Sequence, residues 1–145
     1  RLIYCGDVVG RTGREAVLSN IADIREKYAP DVFIVNVENA AHGFGVTPGI
    51  CREFLEKGAD ALVTTGTYPL SQRLQANHPA LNYPETLPGR GALEIILANG
   101  KKILIVQLLG RLFMEAVDCP VQAVDKLLKS YTLGKNIDAI FVDIH

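Results

Sequence analysis

Leu2-Ile3-Tyr4-Cys5-Gly6-Asp7 opens the chain with four apolar residues that stop at a glycine and a carboxylate. A short apolar run bounded by a turn signal reads as a buried strand. Thr12-Gly13-Arg14-Glu15 has the spacing of a capping box, in which hydroxyl and carboxylate satisfy free amides at a helix start. Val17, Leu18, Ile21, Ile24 and Tyr28 then recur at helical spacing until Pro30 ends the pattern. Residues 31–36, centred on Val32-Phe33-Ile34-Val35, read as a second buried strand. Thr47-Pro48 supplies the cap and first residue of a second helix. Its apolar face is Ile50, Phe54 and Leu55, and Gly58 closes it. Residues 59–64 give a third strand. Strand, helix, strand, helix, strand with short links is a right-handed parallel α/β unit.

The second half differs. Residues 93–98 and 101–108 flank Asn99-Gly100, the strongest short hairpin signal. Pro120 opens a third helix with Val121, Val124, Leu127 and Leu128 on one face, and residues 137–144 read as a further buried strand. Between Gly66 and Gly91 the chain is rich in Pro, Asn and Gly without periodicity, so loop is expected. The fold class is α/β with a mixed sheet. No element follows the strand that ends beside His145, and a mean hydropathy of +0.17 leaves apolar surface unassigned. Such a fold is unfinished, and further chain is expected to complete it.

At 145 residues the length suits one domain, and a 48% hydrophobic content excludes a disordered chain. No apolar run approaches the roughly 20 residues needed to span a bilayer. The first five residues meet Gly6-Asp7 too soon for a signal peptide. With 15 basic and 16 acidic residues there is no global field for duplex nucleic acid, so any phosphate must be held by a local device. Cys5, Cys51 and Cys119 are odd in number and far apart. They read as reduced, partly buried thiols of a cytoplasmic protein rather than as disulfides or a metal-thiolate site.

In open α/β sheets ligands bind at the carboxyl ends of the strands. Here those ends carry Asp7, Glu38-Asn39, Asp143 and His145. Singly, each fits a turn residue, a cap or a satisfied polar group; together they form a donor set for Mn, Fe or Zn. Residues 6–13 could pass for a phosphate loop, but they lack both G-x-G-x-x-G and the Gly-Lys-Ser/Thr of a P-loop. A carboxylate at the strand tip repels phosphate unless a cation intervenes, which favours a metal bridge. His42-Gly43-Phe44-Gly45 is a second glycine loop, either a tight connection or a close approach for substrate. Arg90 and Arg111 sit among glycines and either fork onto phosphate or tie down loops. Phe44, Phe113 and Met114 are expected in the core or at a subunit contact before substrate stacking.

Several separated motifs occur in order: Gly6-Asp7-Val8-Val9-Gly10, Val37-Glu38-Asn39-Ala40-Ala41 with Gly43-Phe44-Gly45, Asn82-Tyr83-Pro84, Pro88-Gly89-Arg90-Gly91, Leu109-Gly110-Arg111-Leu112-Phe113-Met114 and Val142-Asp143-Ile144-His145. With these the chain resembles the YmdB-like metallophosphoesterases, a branch of the calcineurin-like phosphoesterase superfamily, over essentially its whole length. The resemblance implies an α/β/β/α sandwich carrying two divalent or trivalent metal ions (Fe, Mn or Zn) and hydrolysing 2′,3′-cyclic nucleotides or similar phosphodiesters. It implies that Asp7, Glu38, Asn39 and His145 hold metal, with Glu38 as the bridge, and that copies of the chain associate as a homo-oligomer. Two cations roughly 3.5–4 Å apart suit that chemistry.

The departures are specific. The family has Gly-Asn-His after the third strand, the Asn a ligand and the His a proton donor, where this sequence reads Thr65-Gly66-Thr67-Tyr68. No catalytic proton donor is therefore assigned, and His78, which no family motif surrounds, is not promoted to the role. The family also continues past Asp-x-His into a part carrying His-Thr-His. Residues 1–145 are thus expected to be the amino-terminal portion of one metallophosphoesterase domain. The competing expectation is a catalytically inactive remnant that keeps a metal or nucleotide site.

Overall fold

Alternation along a single strand, β2 (Val32–Asn36), sorts the layers of the molecule. Successive strand side chains point to opposite faces. Phe33 and Val35 pack with Ile21, Cys51 and Phe54, whereas Val32 and Ile34 pack with Ile103 and Ile105. All five residues of β2 are buried because both of its faces are covered. The structure is a computed structural model describing residues 1–65, 76–77, 80–84, 91–112 and 116–145.

The first sheet is parallel, in the order β1 (Leu2–Cys5), β2, β3 (Ala61–Val63) and β4 (Ala76–Asn77). Its outer face is covered by α1 (Gly10–Tyr28) and α2 (Pro48–Lys57) through Val17, Leu18, Ile21, Ile50 and Phe54. The second sheet holds β5 (Ala92–Ile96), β6 (Lys102–Leu108) and β7 (Ala139–Ile144). β5 and β6 are antiparallel, β6 and β7 parallel. Leu104, Val106 and Leu108 of β6 face α3 (Pro120–Leu128), meeting Val124, Leu127 and Leu128. Ile103 and Ile105 face the first sheet. The result is the α/β/β/α order that the resemblance implies, with two sheets where the residue pattern alone suggested one mixed sheet.

Local chemistry explains most element ends. Thr47 caps α2, its hydroxyl accepting from the Ile50 amide at 3.3 Å, and Gly58 closes it. Asn99-Gly100 turns the hairpin with Gly100 at φ +79°, a conformation that disfavours side chains.

Other boundaries correct the sequence expectations. α1 begins at Gly10, with Val9 as N-cap and no side-chain cap bond, so the capping box at Thr12–Glu15 is not used. Glu15 instead accepts from the Arg11 guanidinium one turn back, at 2.7 Å. The strand expected over 137–144 is Ala139–Ile144 and only half-buried, lying at the edge of its sheet among the described residues. Val121 of α3 faces solvent. Within the span expected as loop, Ala76–Asn77 pairs parallel with β3, and Ala80 bridges Gly91. His78, Arg90, Phe113 and Met114 lie outside the described residues. Among the described residues no helix is long and apolar enough to cross a membrane.

Candidate metal centre

Each expected ligand sits just beyond the end of a strand. Past β2 the ladder runs one residue further, the Val37 amide donating to the Val63 carbonyl at 3.0 Å. Asn36 then turns the chain: its Oδ1 accepts from the Glu38 amide at 2.9 Å, the Asx geometry that Asn favours at turns. Glu38 is thereby aimed across the strand ends with its side chain only 16% exposed. Thr65, following β3, donates its hydroxyl to Glu38 Oε1. Sequence reasoning missed this bond, because Thr65 stood out only as the start of a departure from the family pattern.

Asp7 follows β1 and is exposed. Its Oδ1 accepts from Asn39 Nδ2 at 2.8 Å. The Asn39 carbonyl accepts from the amides of Gly10 (2.8 Å) and Gly43 (3.1 Å), and Arg14 donates to the Ala40 carbonyl at 2.6 Å. The loop is thus fixed from α1. Phe44 at its tip is 82% exposed, which removes the expectation that it belongs to the core.

His145 arrives from the second sheet. Its amide donates to the Leu108 carbonyl at 3.2 Å and its carbonyl accepts from the Gly110 amide at 2.7 Å. A Cβ at Gly110 would stand 3.1 Å from that carbonyl oxygen, so the motif glycine permits the approach. Arg111, beside it, is exposed. Asn82 braces the same turn: Nδ2 donates to the carbonyls of Leu109 (2.8 Å) and Asp118 (2.9 Å), and Oδ1 accepts from the Leu109 amide (2.9 Å). So placed, His145 Nδ1 lies 3.4 Å from Glu38 Oε2.

The four expected ligands therefore come together as two pairs, Asp7 with Asn39 and Glu38 with His145, and Glu38-Asn39 joins the pairs covalently. Among the described residues no group of three His, Cys, Asp or Glu side chains is closed around one point. Yet Glu38 Oε2 is buried, and among the described residues no group donates a hydrogen bond to it. A buried carboxylate oxygen without a donor is costly, and more so when charged. A cation there would remove the cost. Carboxylate, amide and imidazole are also the donors that Mn, Fe and Zn share. The residues present fit such ions.

Asp143, the other carboxylate on this rim, is engaged differently. Its Oδ1 accepts from the Tyr4 hydroxyl at 3.0 Å and its Oδ2 from Asn36 Nδ2 at 3.2 Å. Burial pushes the Tyr4 phenol up to about 12; a hydrogen bond with Asn36 opposes the rise and the Asp143 charge adds to it. The three cysteines are free, and burial raises the thiols of Cys5 and Cys51.

The sequence matches the family described as YmdB-like protein over residues 3–145. The chain belongs to the YmdB-like family. A 2′,3′-cyclic-nucleotide 2′-phosphodiesterase of Bacillus subtilis is 35% identical over 154 residues, covering 100% of this chain and 56% of that protein. The crystal structure of a hypothetical protein from Thermus thermophilus superposes with a TM-score of 0.86 at 32% identity, covering 99% of this chain and 57% of that one. A novel phosphatase of Mycoplasma pneumoniae gives a TM-score of 0.82 at 26% identity, with 99% and 54% covered. The chain thus spans just over half the length of the relatives it matches.

Proposed function

We propose that the protein carrying this chain is a metal-dependent phosphodiesterase acting on 2′,3′-cyclic nucleotides or similar small phosphodiesters. The observation that carries the reading is the buried Oε2 of Glu38, without a hydrogen-bond donor among the described residues and 3.4 Å from His145 Nδ1 on the rim that also holds Asp7 and Asn39. Relatives named as a cyclic-nucleotide phosphodiesterase and a phosphatase support it.

Asp7, Glu38, Asn39 and His145 would hold two divalent or trivalent ions (Fe, Mn or Zn), with Glu38 between them. Such ions supply an activated water and neutralise charge developing on the phosphorus oxygens. The chain's own residues prepare that environment. Asn39 donates through Nδ2 to Asp7, which turns its amide oxygen away from that carboxylate. Thr65 saturates Oε1 of Glu38 and orients the carboxylate. Gly110 and Leu108 fix both ends of the His145 peptide, leaving the imidazole at the rim. Without cations this rim would repel a phosphodiester, since Asp7, Glu38 and Asp143 are all acidic. Residues 1–145 would then be the amino-terminal portion of one metallophosphoesterase domain. We place it in the cytoplasm on its free thiols, working as a homo-oligomer on a small substrate rather than on duplex nucleic acid or at a membrane.

Thr65-Gly66-Thr67-Tyr68 in place of Gly-Asn-His favours a second reading, an inactive metal- or nucleotide-binding remnant. Substitution of the ligands separates the two. In the full-length, metal-loaded protein, Asp7→Asn and Glu38→Gln should each lower turnover of a 2′,3′-cyclic nucleotide by more than about 100-fold, since even groups behind metal ligands cost 10–100-fold. Cation-dependent stabilisation without hydrolysis in the unsubstituted protein would establish the second reading instead.

A further inference from the structure

We propose that Asp143 is a positioning residue: its carboxylate fastens β7 to the first sheet and thereby holds His145 against Glu38. The inference rests on the metal-centre reading above and explains how one centre is built from two sheets.

Asp143 alternates with Phe141 and His145 along β7, so the three share a face. That face meets the first sheet, because the Phe141 ring packs on Tyr4 with centroids 5.0 Å apart. One step towards the rim, Asp143 takes its two hydrogen bonds from Tyr4 of β1 and Asn36 of β2, both in the opposite sheet. Two residues further on, His145 reaches Glu38. Asn36 serves both ends of the connection: Nδ2 holds Asp143 while Oδ1 holds the Glu38 amide.

At the far end of the seam the hairpin is tied to the start of β2, Asn99 Nδ2 donating to Asp31 Oδ1 at 3.0 Å. The apolar seam between that bond and the rim cannot set this alignment. Between the sheets lie Val32, Ile34, Ala61, Val63, Ile95, Ile103 and Ile105, whose attraction is non-directional. Hydrogen bonds from two strands onto one carboxylate do fix a relative position. Asp143 is thus a carboxylate occupied by protein donors, unlike Glu38, which has one buried oxygen left over.

The test uses the full-length protein and the isosteric Asp143→Asn, whose amide offers only one acceptor to two donors. Calorimetric Mn²⁺ titration should show affinity weakened about 10–100-fold, the usual consequence of disturbing a group behind a ligand. Tyr4→Phe should weaken it less, and the double variant should bind no more weakly than Asp143→Asn alone, because both act through one connection. Unchanged affinity in Asp143→Asn would overturn the proposal. So would an unaltered affinity in Tyr4→Phe, which would mark Asp143 as a direct ligand. A metal-free readout stands beside this: Asp143→Asn should move the ring resonances of His145 and leave those of His42 in place. If the unsubstituted protein bound no Mn²⁺, the metal-centre reading would fall and these resonances alone would decide, unmoved His145 signals refuting the positioning role. Should Asp143→Asn not fold, Tyr4→Phe measured in both ways decides.

Discussion

Cys51 lies fully buried in the first core beside Phe54, and desolvation pushes its thiol from 9.0 up to about 12, the nearby Arg52 charge opposing. The folded chain therefore keeps a proton that the unfolded chain releases. Stability is intact below pH 9 and falls as pH rises from 9 towards 12, by at most about 1.4 kcal/mol per unit from this group. Urea midpoints at pH 8, 9.5 and 10.5 should decline, and Cys51→Ala should flatten much of the decline. From the sequence a partly buried thiol is expected here only because free cysteines are commonly buried, and Cys51 is buried completely. The role of Asp143 was not legible in the sequence. An acidic residue at a strand end looks the same whether metal or protein donors will occupy it, and only the approach of Tyr4 and Asn36 from another sheet separates the cases.

At the scale of elements, apolar runs and turn residues located the helices and strands well. Thr47 and Gly58 bound α2 as their chemistry requires, and Asn99-Gly100 makes the hairpin. The start of α1 departed because a distant partner did the work of a cap: the Gly10 amide is taken by the Asn39 carbonyl, so the helix begins ahead of Thr12. Asn82 shows a family motif whose role is architectural. Buried to 1% exposure, its amide joins the turn after β6 to Asp118. Asn82→Ala strands the buried carbonyl and amide of Leu109, releases the carbonyl of the exposed Asp118, and should cost about 1–3 kcal/mol. Chemical denaturation measures this, and a change under about 0.5 kcal/mol would contradict the bracing role.

Across the whole molecule, strand periodicity alone could not separate one mixed sheet from two stacked ones. The two faces of β2 are equally apolar, and only tertiary packing shows that helices cover one and the second sheet the other. The proposed centre inherits that difficulty: Asp7, Glu38 and Asn39 belong to the first sheet's rim, His145 to the second's. If metal binds as proposed, a centre built across the seam would tie its binding to the union of the sheets. Mn²⁺ at 100 times its dissociation constant should therefore stabilise the protein by about 2.7 kcal/mol, read as a rise in melting temperature that chelation reverses. An unchanged melting temperature despite bound metal would contradict that coupling. Catalysis is tested most directly by following hydrolysis of a 2′,3′-cyclic nucleotide by the full-length protein, with its metal content, after chelation and again after Mn²⁺ is returned. Turnover should vanish and come back with the ions; equal turnover without metal, or none with two ions bound per chain, would contradict a metal-dependent phosphodiesterase.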